Sequence, residues 1–398
     1  MKKRLKILHV APYYYPAWSY GGIPRVVYEL TTELARRGHD VTVCTTDVLD
    51  SSSRYGVKGR EATVDGVKVH YFRNLSNRLA YRYQLFMPTG LRRFVAANIS
   101  RFDVVHLNGH RNLLNNVVRR HALRAARPYL LSAHGTVARF ERRILAKVVF
   151  DKVLGDRVLR DAAGFVAVSG AEVRRYEEMG VDRQRVTVIH NGLDPGSFKD
   201  LPLAGRFKKA RGLEGRRIIL FLGKITPAKG VDVLVRAFAR LDDASAFLVI
   251  AGNDMGFKGR VEEISRECGV EGRVLFTGLI TGEEKLAAYR DADVVAYPAS
   301  NEIFGLVPFE AMMCGTPVIV ADDSGCGEII GGEGIGRVVR YGDVEELKGA
   351  VSEVLSGGGD DLEMVERGKR FIVEKLSWAR AAERHERLYR SLLKGEAR

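Results

Sequence analysis

The sequence predicts an α/β protein built from two doubly wound parallel sheets, and three observations carry that expectation. The chain has 398 residues, 46% of them hydrophobic, a length that suggests two domains or three, each able to bury a sizeable core. Short apolar, β-branched runs alternate with stretches of helical period from end to end, the pattern of sheets whose crossovers are helices. Midway, Asp194-Pro195-Gly196-Ser197 through Gly205-Arg206-Phe207-Lys208-Lys209 has no clean period and reads as a linker.

Taken in order, the first half offers strands at Lys6–Ala11, Val41–Thr45, Val67–Phe72, Val104–Leu107, Tyr129–Ala133, Gly164–Ser169 and Val186–His190. The second offers Ile218–Gly223, Ala246–Ala251, Val274–Thr277, Val294–Pro298, Pro317–Ala321 and Gly336–Val339. After the first strand, Gly21-Gly22 precedes a helix expected from Arg25 to Arg37 and closed by Gly38-His39. The tail from Ser377 to Lys394 reads as a long helix, with Trp378, Leu388, Leu392 and Leu393 as its packing contacts. In doubly wound sheets ligands bind outside the carboxyl ends of the strands, so the informative motifs should follow strands.

Composition narrows the class. No apolar run approaches the roughly 18 residues a membrane span requires, and the basic start Lys2-Lys3-Arg4 leads into a strand interrupted by Lys6 and His9, not a signal peptide. Cys44, Cys268, Cys314 and Cys326 are scattered without metal-ligand spacing, so reduced thiols in a cytoplasmic protein are expected. Charge is lopsided: residues 1–197 carry 33 Lys and Arg against 17 Asp and Glu, net +16, and the remainder 30 against 32, net −2. Basic clusters lie at Arg92-Arg93, Arg119-Arg120, Arg124, Arg127 and along Arg139–Lys152, where Phe140, Ile144, Leu145, Val148 and Val149 interleave at helical spacing. Such a helix suits an anionic membrane surface, and equally the packed face of an ordinary amphipathic helix. No nucleic-acid motif accompanies the charge.

The densest motif is residues 302–319, Glu-Ile-Phe-Gly-Leu-Val-Pro-Phe-Glu-Ala-Met-Met-Cys-Gly-Thr-Pro-Val-Ile. It reads as a loop feeding a helix: Gly305 permits a close turn, Pro308 suits a first helical turn, and Gly315 and Pro317 end the helix. The free N–H groups of that helix start, over Phe304, Gly305, Leu306 and Val307, can hold an anion such as a diphosphate, and Glu302 and Glu310 can accept bonds from sugar hydroxyls. Upstream, Gly223-Lys224-Ile225-Thr226-Pro227-Ala228-Lys229-Gly230 puts two cations on a strand-to-helix loop, suited to a leaving group that gains negative charge.

The Glu-x7-Glu frame followed by Ala-Met-x-Cys-Gly-Thr-Pro-Val resembles the donor-site signature of retaining GT-B glycosyltransferases, glycosyltransferase family 4. The likeness covers nearly the whole chain and is strongest in the second half. It implies a GT-B fold: an acceptor-binding Rossmann-like domain over 1–197, a nucleotide-sugar domain over 210–376, the two facing across a cleft, and a C-terminal helix, 377–398, crossing back to the first. It implies that Glu310 binds the donor ribose and Glu302 a sugar hydroxyl, while the main chain of Phe304, Gly305, Leu306 and Val307 holds sugar and phosphates. Lys224, where the family usually has Arg, and Lys229 would stabilise the departing diphosphate, losing only the bidentate fork at Lys224. Gly21 and Gly22 would approach the donor from the first domain, and His134, in His134-Gly135-Thr136 after a strand, would lie near the transferred sugar. Ser169, Asn191, Gly192 and Asp194 match further landmarks of the family.

The reaction so implied moves a sugar from a nucleotide-diphosphate donor to an acceptor hydroxyl by a metal-independent front-face route, the leaving phosphate taking the acceptor proton. The acceptor would be a glycolipid, lipid-linked sugar or polysaccharide, and the enzyme cytoplasmic, with attachment of its basic first half to the inner face of a membrane left open. No cofactor is expected. Asp291-Ala292-Asp293 spells the metal motif of another glycosyltransferase architecture, but precedes its strand and reads as capping and solvated aspartates. Two alternatives stand: a GT-B epimerase or phosphorylase, and a non-catalytic nucleotide-sugar-binding or assembly protein.

Overall fold

Eight strands make the first sheet: β1 (Lys6–Val10), β2 (Asp40–Thr46), β3 (Glu61–Val64), β4 (Val67–Phe72), β5 (Val104–Asn108), β6 (Tyr129–Ser132), β7 (Gly164–Ala167) and β8 (Val186–Val188). Six make the second: β9 (Arg217–Leu222), β10 (Ala246–Ala251), β11 (Val274–Gly278), β12 (Val294–Tyr297), β13 (Val318–Ala321) and β14 (Arg337–Val339). These come from a computed structural model that describes residues 3–56, 60–137, 144–357 and 359–395.

The spatial orders are β3-β4-β2-β1-β5-β6-β7-β8 and β11-β10-β9-β12-β13-β14. Every pairing is parallel except β3 with β4. Inner strands such as β12 and β13 are buried on both faces, which is why they read as unbroken apolar runs. In each sheet the order reverses once, between β1 and β5 and between β9 and β12. The crevice beyond the carboxyl ends at such a reversal is where doubly wound sheets bind ligands.

The chain divides into two compact units, Met1–Gly192 with Trp378–Arg398, and Leu193–Ser377. The first therefore ends at Gly192, five residues short of the boundary expected at 197. The stretch read as a linker belongs to the second unit, where it folds into the helix Arg206–Arg211. The reason lies in Asp291, whose buried carboxylate accepts the N–H groups of Gly205, Phe207 and Lys208 at 2.6, 2.7 and 3.0 Å. Asp293 accepts the Ile218 N–H at 2.7 Å and the Lys208 ammonium at 3.2 Å. The aspartate pair is thus a structural clasp, and Asp291 is buried instead of solvated.

Other expectations shift locally. Strand β3 was not foreseen: it pairs with β4 across Asp65-Gly66, both at positive φ (45° and 82°), a tight turn of the kind Asp-Gly favours. The first helix spans Gly22–Arg36 and takes Pro24 into its first turn, so it begins before Arg25. The tail helix, Trp378–Lys394, packs in the first unit through Ala381, Ala382 and Tyr389, with Trp378, Leu388 and Leu392 partly buried beside them. Leu393 is instead exposed. Of the basic segment, Arg139, Phe140, Arg142 and Arg143 lie outside the described residues. The helix that follows, Ile144–Phe150, runs into a wider turn at Asp151–Gly155 and leaves Ile144, Leu145, Val149 and Val153 at 49, 83, 62 and 56% exposure. No helix among the described residues is long and apolar enough to cross a membrane.

Candidate active site

In the second unit the predicted residues gather at the sheet reversal. Lys224 and Lys229 lie on the loop after β9, and the signature loop follows β12, the neighbouring strand. The two loops are tied together by the Ser300 N–H, which donates to the Ala228 carbonyl at 2.8 Å. Gly230, at φ +64°, permits the approach: a Cβ there would stand 2.2 Å from the Pro298 carbonyl oxygen. The Lys229 side chain is thereby brought onto Tyr297, donating to its hydroxyl at 2.7 Å, and onto Glu302, with which it forms an ion pair.

Glu302 receives three donors: the Lys229 ammonium, the Tyr297 hydroxyl at 2.8 Å and the Phe304 N–H. Burial pushes its carboxyl up, but these three outweigh burial and hold it below the ordinary value, so it is ionised at neutral pH. Tyr297 is driven the other way, well above the usual phenol, by burial and by the Glu302 charge, so its hydroxyl remains a donor.

Eight residues on, Glu310 has an equivalent cage. Lys285 donates to both carboxylate oxygens at 2.9 Å, and the Tyr289 hydroxyl donates to Oε2 at 2.9 Å. Lys285 and Tyr289 are four apart on the helix Gly282–Asp291 and share a face. The two signature acids are therefore built alike, each clasped by one lysine and one buried tyrosine. Three of the roughly four acceptor positions of the Glu310 carboxylate are taken, which leaves Oε1 the open one.

Between the acids the helix Leu306–Met313 starts without a side-chain cap. Phe304 turns its ring inward, 4% exposed and stacked on Phe309 at 5.5 Å, and has given its N–H to Glu302. Gly305, at φ +74°, is confined to glycine, since a Cβ would lie 2.9 Å from Cys326 Sγ. The N–H groups of Gly305, Leu306 and Val307 have no partner among the described residues and form the uncapped positive end of the helix. Lys224 is exposed and makes no ion pair or hydrogen bond among the described residues, so its cation is available to a ligand.

The first-unit candidates lie at its own sheet reversal. Gly21 adopts φ +104° and caps the helix Gly22–Arg36, while a Cβ on Gly22 would meet nothing within 4 Å. Gly22 thus faces open space, while Ile23 and Pro24 beside it pack inward. His134 follows β6 at φ +51°, an uncommon conformation for a non-glycine residue and one that turns up at functional sites. Its Nε2 faces the Asn108 side-chain oxygen at 3.1 Å, and burial pushes the imidazole down to about 4.

The His134 loop is pinned on both sides. Glu172, fully buried, accepts the Gly135 N–H at 2.6 Å and the Val168 N–H at 2.8 Å. Arg111 holds the carbonyls of Thr136 and Val137 and is itself held by the buried Asp151 at 2.8 Å. Ser169 caps the helix Gly170–Glu178, and Asp194 caps the turn Pro195–Phe198. Asn191 and Gly192 stand where the first unit gives way to the second.

Sequence reading missed Tyr297, Lys285 and Tyr289 in one unit and Asn108, Glu172 and Arg111 in the other. Two signals were present. Ser169-x-x-Glu172 has capping-box spacing, and Lys285 and Tyr289 have the i, i+4 spacing of a shared helix face.

Residues 205–371 match the family described as glycosyl transferases group 1, and residues 20–197 that described as Glycosyltransferase Family 4. An uncharacterized glycosyltransferase of Methanocaldococcus jannaschii is 28% identical over 390 residues, 94% of this chain and 96% of that one. A D-inositol 3-phosphate glycosyltransferase of Mycolicibacterium smegmatis is 29% identical over 370 residues, 89% and 83% of the two chains. Among solved structures, Anabaena HepE in complex with UDP superposes with a TM-score of 0.75 at 17% identity, covering 97% of this chain and 100% of that one. The sucrose-phosphate synthase of Thermosynechococcus elongatus gives 0.74 at 22% identity, with 98% and 100% covered. At these identities the structural likeness establishes the fold.

Proposed function

Since this chain belongs to the glycosyltransferases, its first half matching family 4 and its second group 1, we propose that it transfers a sugar from a nucleotide-diphosphate donor to an acceptor hydroxyl with retention of anomeric configuration. The observation that carries the proposal is the grouping, at one sheet reversal, of an uncapped helix start, two cations and two ionisable acids in matching lysine–tyrosine cages. The free N–H groups of Gly305, Leu306 and Val307, with Lys224 and Lys229, are suited to a diphosphate whose charge grows as the sugar departs. Glu302 and Glu310 serve as hydroxyl acceptors, the latter for the ribose. Bound UDP in HepE supports a nucleotide donor here.

Leaving-group charge is met by protein cations, and the departing phosphate takes the acceptor proton; no residue among those described is assigned as a nucleophile beneath the sugar. The same disposition supports a route that needs no metal. In the first unit, His134 and the Gly21-Gly22 turn are the residues proposed to serve the transferred sugar and its acceptor. A net charge of +16 over residues 1–197 favours an acceptor bearing phosphate, either lipid-linked or a phosphorylated polyol such as the name of the Mycolicibacterium relative describes. The exposed Ile144, Leu145, Val149 and Val153, beside Lys147 and Lys152, favour the lipid surface as its source.

The test is the anomeric configuration of the first product, followed by NMR with a donor of known configuration. Retention is expected. Inversion, or hydrolysis of the donor with no transfer to any acceptor, would overturn the proposal.

A further inference from the structure

Under the apolar face covered by the tail helix lies a buried polar chain. His9 on β1 and His106 on β5 are partners in register, their rings 4.6 Å apart, and both are fully buried. Asn108 ends β5 and Ser132 ends β6, and Tyr389 enters from the tail helix, also fully buried. Five hydrogen bonds connect them to His134, and their directions can be worked out from chemistry alone.

The Asn108 amide nitrogen faces the Val10 and His106 carbonyls at 3.3 and 3.4 Å, which fixes that end as the donor and Oδ1 as the acceptor. His134 Nε2, 3.1 Å from Oδ1, must then carry the proton. The same amide nitrogen also faces His9 Nδ1 at 3.4 Å, so His9 Nδ1 accepts and its proton sits on Nε2, pointing at the Tyr389 hydroxyl oxygen at 3.4 Å. Tyr389 can then give its own proton to His106 Nδ1 at 2.7 Å, and His106 Nε2–H donates to the Ser132 hydroxyl at 2.7 Å. Each imidazole is neutral in this scheme, and burial acts the same way, pushing His9 to about 3, His134 to about 4 and His106 well below its ordinary value.

We infer that Asn108 and Tyr389 are positioning residues for His134: Asn108 directly, and Tyr389 by way of His9 and Asn108, lock it as the neutral Nε2–H tautomer, so that it presents Nδ1 as a hydrogen-bond acceptor. Nδ1 has no partner among the described residues. A histidine fixed this way takes a bond from a sugar or acceptor hydroxyl, and it can neither donate through Nδ1 nor serve as a cation. The tail helix thereby sets the protonation pattern of a residue far from it in sequence. The functional half of this inference rests on the proposed site role of His134; the tautomer itself does not.

The experiment is long-range 1H–15N NMR on the full chain with labelled histidine, the His134 signals assigned by loss in His134→Gln, in wild type, Asn108→Leu and Tyr389→Phe. Wild type is expected to show a protonated Nε2 and a bare Nδ1 at neutral pH. Tyr389→Phe keeps the ring and removes the hydroxyl, so the opposite tautomer should become populated. Turnover should fall about tenfold, roughly one hydrogen bond's worth, with donor KM unchanged. A protonated Nδ1 in wild type overturns the inference, as does an unchanged His134 signal in both Asn108→Leu and Tyr389→Phe, each checked for native folding by circular dichroism. If the tautomer responds as expected but His134→Gln transfers sugar normally, the site role of His134 fails and the hydrogen-bonded chain stands.

Discussion

Lys229 and Glu302 touch, yet losing one is not equivalent to losing the other. Without the ammonium, Glu302 keeps the Tyr297 hydroxyl and the Phe304 N–H, so Lys229→Ala should fold normally by circular dichroism. Turnover should nevertheless drop by about 10²–10³, the scale of one preorganised charge-stabilising donor; near-normal turnover would remove Lys229 from the mechanism. Glu172 makes a prediction of the opposite electrostatic sign. Burial pushes its carboxyl up to about 7 against the pull of two N–H donors. A folded value above the ordinary 4.5 means the folded state binds the proton more tightly. That stabilisation is complete below pH 4.5 and is lost as pH rises through 7. Denaturant titrations across that window should show wild type losing stability with rising pH and Glu172→Gln losing less; parallel slopes would contradict the assignment. Glu302 and Glu310 were legible because they sit in a long motif, and Lys229 because it lies on a glycine-flanked strand-to-helix loop. Tyr297, Tyr289 and Asn108 were not, since each is a single polar tip on a residue that ends a strand or lines a helix, and sequence does not say which tips meet.

Elements were legible wherever burial on both faces leaves an unbroken apolar run, as in β12 and β13. β3 escaped because it is a four-residue edge strand with every other residue exposed, and only its Asp65-Gly66 turn announced it. The tail helix was legible from its period, but its attachment was not. Glu386, 5% exposed, accepts Arg37 and Arg390 at 3.0 Å each and lies 3.6 Å from His39. Burial pushes this carboxyl up, but the two arginine bonds and the neighbouring charges of His39 and Arg37 prevail and hold it at about 2. A folded value below 4.5 stabilises fully above that pH and is lost as pH falls toward 2. Glu386→Gln should therefore lower unfolding free energy by about 1–3 kcal/mol at pH 7 and by much less at pH 2, read by urea titration. An equal loss at both would show that packing, not charge, attaches the helix.

Across the whole molecule the charge asymmetry and the two-sheet plan were readable from composition and period, whereas the boundary at Gly192 was not, because the apparent linker is organised by Asp291 from a distant part of the chain. The basic first half and the exposed Leu145 and Val149 predict sedimentation with anionic vesicles that weakens as salt rises. Leu145→Asp with Val149→Asp should abolish it, and binding unaffected by this pair would assign that face elsewhere. The central claim concerns the donor: a nucleotide-diphosphate sugar held in the second unit by the uncapped helix, the lysines and Glu310. It is tested most directly by thermal shift of wild type, Lys229→Ala and Glu310→Gln against UDP-, GDP- and ADP-sugars, with magnesium and with chelator. The expected result is stabilisation by one nucleotide class, unchanged by chelation and lost or strongly reduced in both variants. Stabilisation that requires magnesium, or that persists undiminished in both variants, would contradict it.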